Sequence, residues 1–213
     1  MLIMVKMQLY DNGGQMETAE SLHACWFGGK ADDAAADRQS KLWWKKSAGQ
    51  DAELAARFTP LVEAARGGKL DQWADTPQGA LALVLLTDQL PRNIYRGTAT
   101  AFASDPIARS VAVAALDKGM DRQLEPIERV FLYLPFEHAE SMADQDRSVS
   151  LYTKLFNEAP APQLERYRNF LTYALRHRRV IERFGRYPHR NAIIGRESTP
   201  DEVSFLQESG SSF

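Results

Sequence analysis

Along this chain apolar residues return every three or four positions, and no stretch alternates in the period of two that a half-buried strand shows. The pattern predicts an all-α protein, a compact array of about eight or nine helices joined by short turns and packed as antiparallel hairpins. Thr18 to Phe27 reads as a short helix stopped by Gly28-Gly29, followed by a polar approach to Leu42-Trp43-Trp44. Asp51 is the expected N-cap of the next helix, whose Leu54, Phe58, Leu61 and Val62 share a face. Pro60 should bend or split it, and Gly67-Gly68 should end it. Thr76-Pro77 opens a helix to Leu90 that is apolar nearly all round from Ala80 to Leu86, which places it at the centre of the molecule. Asp105-Pro106 starts another, Pro126 begins one expected to break at Pro135, and Ser148 to Phe156 continues the helix beyond. Gln163 to Phe184 is the longest helix candidate, and Thr199 with Glu202 forms a capping box for a last short one.

The apolar rhythm is interrupted in one place. Val130, Phe131, Tyr133 and Leu134 are core-type residues, yet Glu137, His138 and Glu140 follow at once, with Asp144 close behind. Charged groups seldom adjoin a core unless something pairs them. Two arginine-asparagine loops, Arg92-Asn93 and Arg190-Asn191, read as the natural partners of that acidic stretch. They echo one another, each with a proline just before and a glycine five residues after the arginine, Gly97 and Gly195. Proline is read as breaking the helix, asparagine as bonding backbone groups, and glycine as taking an unusual dihedral. Asp88 and Gln89 fall in the last turn of the central helix, where a carboxylate meets the negative end of the dipole; Arg92 is the nearest group to offset it.

Composition narrows the function classes. A formal net charge of −2 over 213 residues creates no field that would recruit nucleic acid or an anionic membrane. No apolar run approaches the roughly 20 residues of a membrane helix. The single cysteine, Cys25, rules out an internal disulfide framework and fits a reducing, cytoplasmic setting; beside Trp26 and Phe27 it reads as a buried, inert thiol. Residues 1–16 read as a loose extension and 17–213 as a single helical domain.

The candidate chemistry is correspondingly plain. Glu20 and His23 have one copy of a spacing that di-iron helices need twice, and no zinc-helix motif occurs, so neither a metal nor any other cofactor is expected. Ser141 lies three residues after His138, but no nucleophile-elbow sequence surrounds it. The arginines from Arg176 to Arg196 cluster at the end of the longest helix, where the dipole favours cations and where guanidinium forks also bind anions. Two arrangements follow. In one, Arg92, Arg186 and Arg190 pair with Asp88, Glu140 and Asp144 in a structural network. In the other, a small anionic molecule is bound by Arg92, Asn93, His138, Glu140, Arg186, His189, Arg190 and Asn191, with Asp88 and Gln89 in support. A peptide-binding scaffold with an aromatic groove around Trp43, Trp44 and Trp73 is the alternative.

Four blocks carry a family resemblance: Trp26-Phe27-Gly28; Asp88-Gln89-Leu90-Pro91-Arg92-Asn93-Ile94-Tyr95-Arg96-Gly97; Tyr133-Leu134-Pro135-Phe136-Glu137-His138-Ala139-Glu140; and Arg183-Phe184-Gly185-Arg186-Tyr187-Pro188-His189-Arg190-Asn191. Over about Glu17 to Leu206 the chain resembles the DUF 924 family, whose function is unknown. The resemblance implies an all-helical, tetratricopeptide-like fold and assigns no catalytic residue. Cys25 stands where phenylalanine would be expected and Glu137 where methionine is common, which weighs against a family-wide role for Glu137.

Overall fold

A computed structural model describes residues 17–32 and 34–211; the expected N-terminal extension, residues 1–16, lies outside the described residues. Among these, every regular element is helical, and contiguous segments form ten helices. They are α1 Ala19–Phe27, α2 Ala35–Trp44, α3 Ala48–Arg66, α4 beginning at Pro77, α5 Asp105–Asp117, α6 Pro126–Glu137, α7 Met142–Glu158, α8 Leu164–Phe184, α9 Asn191–Ile194 and α10 Pro200–Leu206.

α4 occupies the centre, touching α1, α3, α5 and α6. Ala80 through Leu86 are all buried, as a helix apolar on every side requires. It does not stop at Leu90. Its α-helical part, Pro77–Val84, widens into a π-helical turn, Leu85–Gln89, and resumes as Leu90–Ile94. The Leu90 N–H bonds the Leu85 carbonyl five residues back. A proline in an α-helical register clashes with the carbonyl four residues earlier, and a wider turn ahead of Pro91 relieves that clash.

Pro60 and Pro135 also sit inside helices instead of ending them. α6 carries on to Glu137, and the His138 N–H still reaches the Leu134 carbonyl at 2.9 Å. Leu134, Pro135 and Phe136 are all buried, and this packing outweighs the roughly 3 kcal/mol a helical proline costs. The α3 cap is Ser47, one turn ahead of Asp51. Asp51 instead accepts from Asn93 and Arg96, joining α3 to the end of α4. The polar approach before the tryptophans is itself helical, as α2, and Ser141 accepts from the Asp144 N–H as the cap of α7. The capping boxes at Thr18 and Thr199 are both formed. α7 packs between α6 and α8, which closes the layer facing the C-terminal half of α4.

Candidate functional site

The π turn of α4 points Asp88, fully buried, at the end of α6. There His138 Nδ1 lies 2.8 and 3.0 Å from the two carboxylate oxygens. Gln89 Nε2 donates to the same carboxylate at 2.6 Å, and Arg92 Nη1 lies 3.3 Å from it while donating to the Asp88 carbonyl at 2.6 Å. Burial alone would raise the Asp88 carboxyl; the Arg92 charge, with hydrogen bonds from His138 and Gln89, overrides it and holds the group well below the usual carboxylate range. Asp88 is therefore ionised, so the imidazole keeps its proton on Nδ1 and leaves a lone pair on Nε2. Burial and the Arg92 charge lower the His138 pKa, which keeps the ring neutral. Among the described residues no protein hydrogen bond reaches that Nε2.

Next to it, burial and the Asp88 charge push the Glu137 carboxyl up to about 8, so it holds its proton at neutral pH. Its Oε1 lies 3.1 Å from Nδ1 of His177, whose ring also sits 2.9 Å from the Tyr173 carbonyl. Burial, with His138 nearby, keeps His177 neutral.

These groups form the floor of a cavity of about 790 Å³ bounded by α2, α4, α6, α7 and α8. Trp44, Phe170 and Tyr173 supply apolar wall. At the mouth stand Lys45, Lys46, Arg96 and Arg166. Arg96 pairs with Asp51 and Arg166 with Asp37, whereas Lys45 and Lys46 are exposed and make no ion pair among the described residues. Of the residues the sequence singled out, Gln89, Arg92, Asn93 and His138 line this cavity, with Asp88 directly behind the imidazole. The sequence reading passed over Lys45 and Lys46, and gave Trp44 to a peptide groove and not to a small-ligand site. The Trp43-Trp44-Lys45-Lys46 run was the available signal, an aromatic pair next to two cations at a helix end.

Glu140, Arg186, His189, Arg190 and Asn191 do not line the cavity. Arg190 and Arg92 converge on one carboxylate, Asp105, at 3.2 and 2.8 Å, and both guanidinium groups lie over the Phe102 ring. Arg190 also donates to the His138 carbonyl at 3.0 Å, so the two arginine loops do meet, behind the cavity floor. The ion pairs, however, are not those expected. Only Arg92–Asp88 forms; Glu140 is held by Arg196 at 2.6 and 2.8 Å, Asp144 by Arg109 at 2.8 Å, and Arg186 grips Glu202 at 2.6 and 2.7 Å. The two glycines do take positive φ, 78° at Gly97 and 73° at Gly195. The asparagines donate to side chains, not to backbone: Asn93 to Asp51, Asn191 to Ser198 and Glu202. His189 packs on Tyr187, and burial lowers its pKa to about 4.

A wider cleft of about 1450 Å³ runs along α1 and the start of α4. Of its polar side chains, His23 pairs with Glu128 at 2.5 Å and Thr18 serves as a helix cap, while Lys30 and Lys69 are exposed and make no ion pair among the described residues. Cys25 is half-buried, and burial raises its thiol pKa despite Arg57 nearby. Among the described residues no group of three or more His, Cys, Asp or Glu side chains is placed to hold a metal, and no helix is long and apolar enough to cross a membrane.

The DUF924 model, described as a bacterial protein of unknown function, matches residues 22–210 and so takes in every wall of the cavity. The chain belongs to that family. A solved structure of a protein of unknown function from Agrobacterium tumefaciens is 39% identical. It superimposes with a TM-score of 0.71 over 83% of this chain and 100% of its own. Among curated proteins none matches the chain. DUF924 membership thus accounts for the fold, and function has to be argued from the site itself.

Proposed function

We propose that this DUF924 protein binds a small amphipathic anion in the cavity between α2 and α8. The anionic group sits at Lys45 and Lys46, the apolar body lies against Trp44, Phe170 and Tyr173, and the polar atoms next to the anionic group reach His138 and Gln89. One observation carries the reading: two unpaired cations stand at the mouth of a cavity of about 790 Å³ whose floor holds an unengaged imidazole nitrogen. Ligand sites are typically concave and mostly apolar with a few convergent polar groups, which is the composition found here. Arg92 belongs to the frame of the site, because its guanidinium is engaged by Asp88 and Asp105.

The scaffold reading loses its aromatic groove. Trp43 is buried and donates to the Trp26 carbonyl, and Trp73 is half-buried against the core, which leaves Trp44 alone at the surface. The tetratricopeptide-like arrangement of hairpins and the cytoplasmic setting belong to our reading in the same way. Titration with anilinonaphthalene sulfonate, a fluorescent aromatic anion, tests the proposal. We expect saturable binding at a single site, weakened about tenfold in the Lys45→Ala/Lys46→Ala variant. Equal affinity in the two folded proteins would remove the anion site.

A further inference from the structure

The floor of the cavity holds more than an anion site needs. His138 is fixed through Nδ1 by a buried carboxylate, which leaves Nε2 to the cavity that the ring lines. The carboxylate is itself fixed by Gln89 and Arg92, so the ring has one orientation. Beside it in sequence and in the cavity wall is Glu137, a buried carboxyl group. A carboxylic acid kept neutral by an apolar site serves as a hydrogen-bond donor to a developing oxyanion. Ser40 of α2 also lines the cavity, but among the described residues no hydroxyl or thiol is hydrogen-bonded to His138. Ser141, three residues on, caps α7, and Cys25 belongs to α1 with its thiol against Arg57. A base and a proton-bearing acid without a nucleophile are equipped for proton transfer.

Building on the anion site, we infer that His138, oriented by Asp88, is a general base that enolises an anionic carbonyl compound held with its carboxylate toward Lys45 and Lys46. In this step Nε2 takes a proton from the carbon next to the carbonyl, and that C–H pair becomes the C=C bond of the enolate. The carbonyl oxygen takes up the charge and accepts a hydrogen bond from the Glu137 O–H. Return of the proton from the imidazolium to carbon restores the base, so the cycle is an isomerisation or proton exchange and consumes nothing else. Asp88 is a positioning residue, Glu137 an oxyanion donor, and the substrate class is an α-keto acid with an aromatic or branched apolar body.

Phenylpyruvate has this chemistry and serves as the probe. In heavy water, loss of its benzylic proton signal reports enolisation, and calorimetry on the same samples reports binding. General acid–base groups contribute roughly 10²–10⁴-fold, so the wild-type protein should speed exchange about a hundredfold or more over buffer, and His138→Gln should return it to the buffer rate. His138→Ala should be restored in part by added imidazole, a rescue that a merely structural histidine would not show. Glu137→Gln, which keeps an N–H donor, should retain more activity than Glu137→Met. Bound phenylpyruvate with exchange at the buffer rate would overturn the inference and leave the anion site standing. So would failure of phenylpyruvate to bind while anilinonaphthalene sulfonate still binds. If neither anion binds, the anion site falls and this inference with it.

Discussion

The Arg92 and Arg190 loops are alike in sequence and unlike in surroundings. Around Arg190 each charge has a partner of the opposite sign: Arg196 takes Glu140, Arg186 takes Glu202, and Asn191 bridges Ser198 and Glu202. Around Arg92 the charges are also paired, but they frame a void. Asp88 is ionised and orients His138, which burial and the Arg92 charge hold neutral with an open nitrogen, and Glu137 stays protonated beside it. The first region behaves as a clasp that fastens α9 and α10 to the body of the protein. The second is arranged around atoms left available to something else. Residue type does not separate a clasp from a site, nor does full engagement, since the buried Arg190 Nε has no hydrogen-bond partner; what separates them is whether an available polar atom faces a cavity.

Mutations can break or sharpen that contrast. The largest effect is expected from Asp88→Ala, which strands the buried Arg92 charge and frees the His138 ring. Breaking a buried pair in this way costs about 3–5 kcal/mol, measurable by urea unfolding. Glu202→Ala should cost about 2 kcal/mol, since it removes the Arg186 ion pair and one arm of a capping box, and should leave anion binding unchanged. If Glu202→Ala also abolished binding, the clasp and the site would not be separate.

The contrast also predicts opposite pH responses. Hydrogen bonding and pairing with Arg186 hold the Glu202 carboxyl down, to about 2, so its contribution is present above its unfolded pKa and is lost as pH falls toward 2. Glu137 is raised to about 8. Its folded form keeps a proton that the unfolded chain releases near 4.5, so the stability it contributes declines as pH rises from 4.5 to 8. Glu137→Gln should therefore match wild type below pH 4.5 and become progressively more stable than it toward pH 8, read from thermal midpoints across that range. A constant difference would mean that the Glu137 carboxyl titrates alike in the folded and unfolded chains. The smallest effect on stability belongs to Lys45→Ala/Lys46→Ala, within about 0.5 kcal/mol, because both side chains are exposed and unpaired.

Much of the fold was legible in the chain because capping and periodicity are local. Thr76 and Thr199 cap the helices they were expected to cap, and the Ala80–Leu86 run is buried as its all-round apolarity demands. The prolines were misread because a local penalty of about 3 kcal/mol was weighed without the packing that overcomes it at Pro135 or the π turn that accommodates Pro91. The floor of the site was half legible. The need of Asp88 for a counter-charge pointed to Arg92, but the choice of His138 as second partner depends on where the π turn aims the carboxylate. The exchange of partners among Glu140, Asp144, Arg109 and Arg196 is a tertiary matter that no sequence separation reveals. Lys45 and Lys46 fall in a stretch read only as a polar approach to the tryptophans, and the cavity behind them is formed by tertiary packing.

The most direct measurement compares two double variants that change net charge equally. Lys45→Ala/Lys46→Ala removes the cations at the mouth, and Arg179→Ala/Arg183→Ala removes two exposed cations of α8 that do not line the cavity. Titrated with anilinonaphthalene sulfonate at fixed ionic strength, the lysine variant should bind about tenfold more weakly than wild type and the arginine variant within about twofold of it. Equal losses in the two variants would mean that the probe responds to overall charge, and would contradict a ligand site at the α2–α8 cavity.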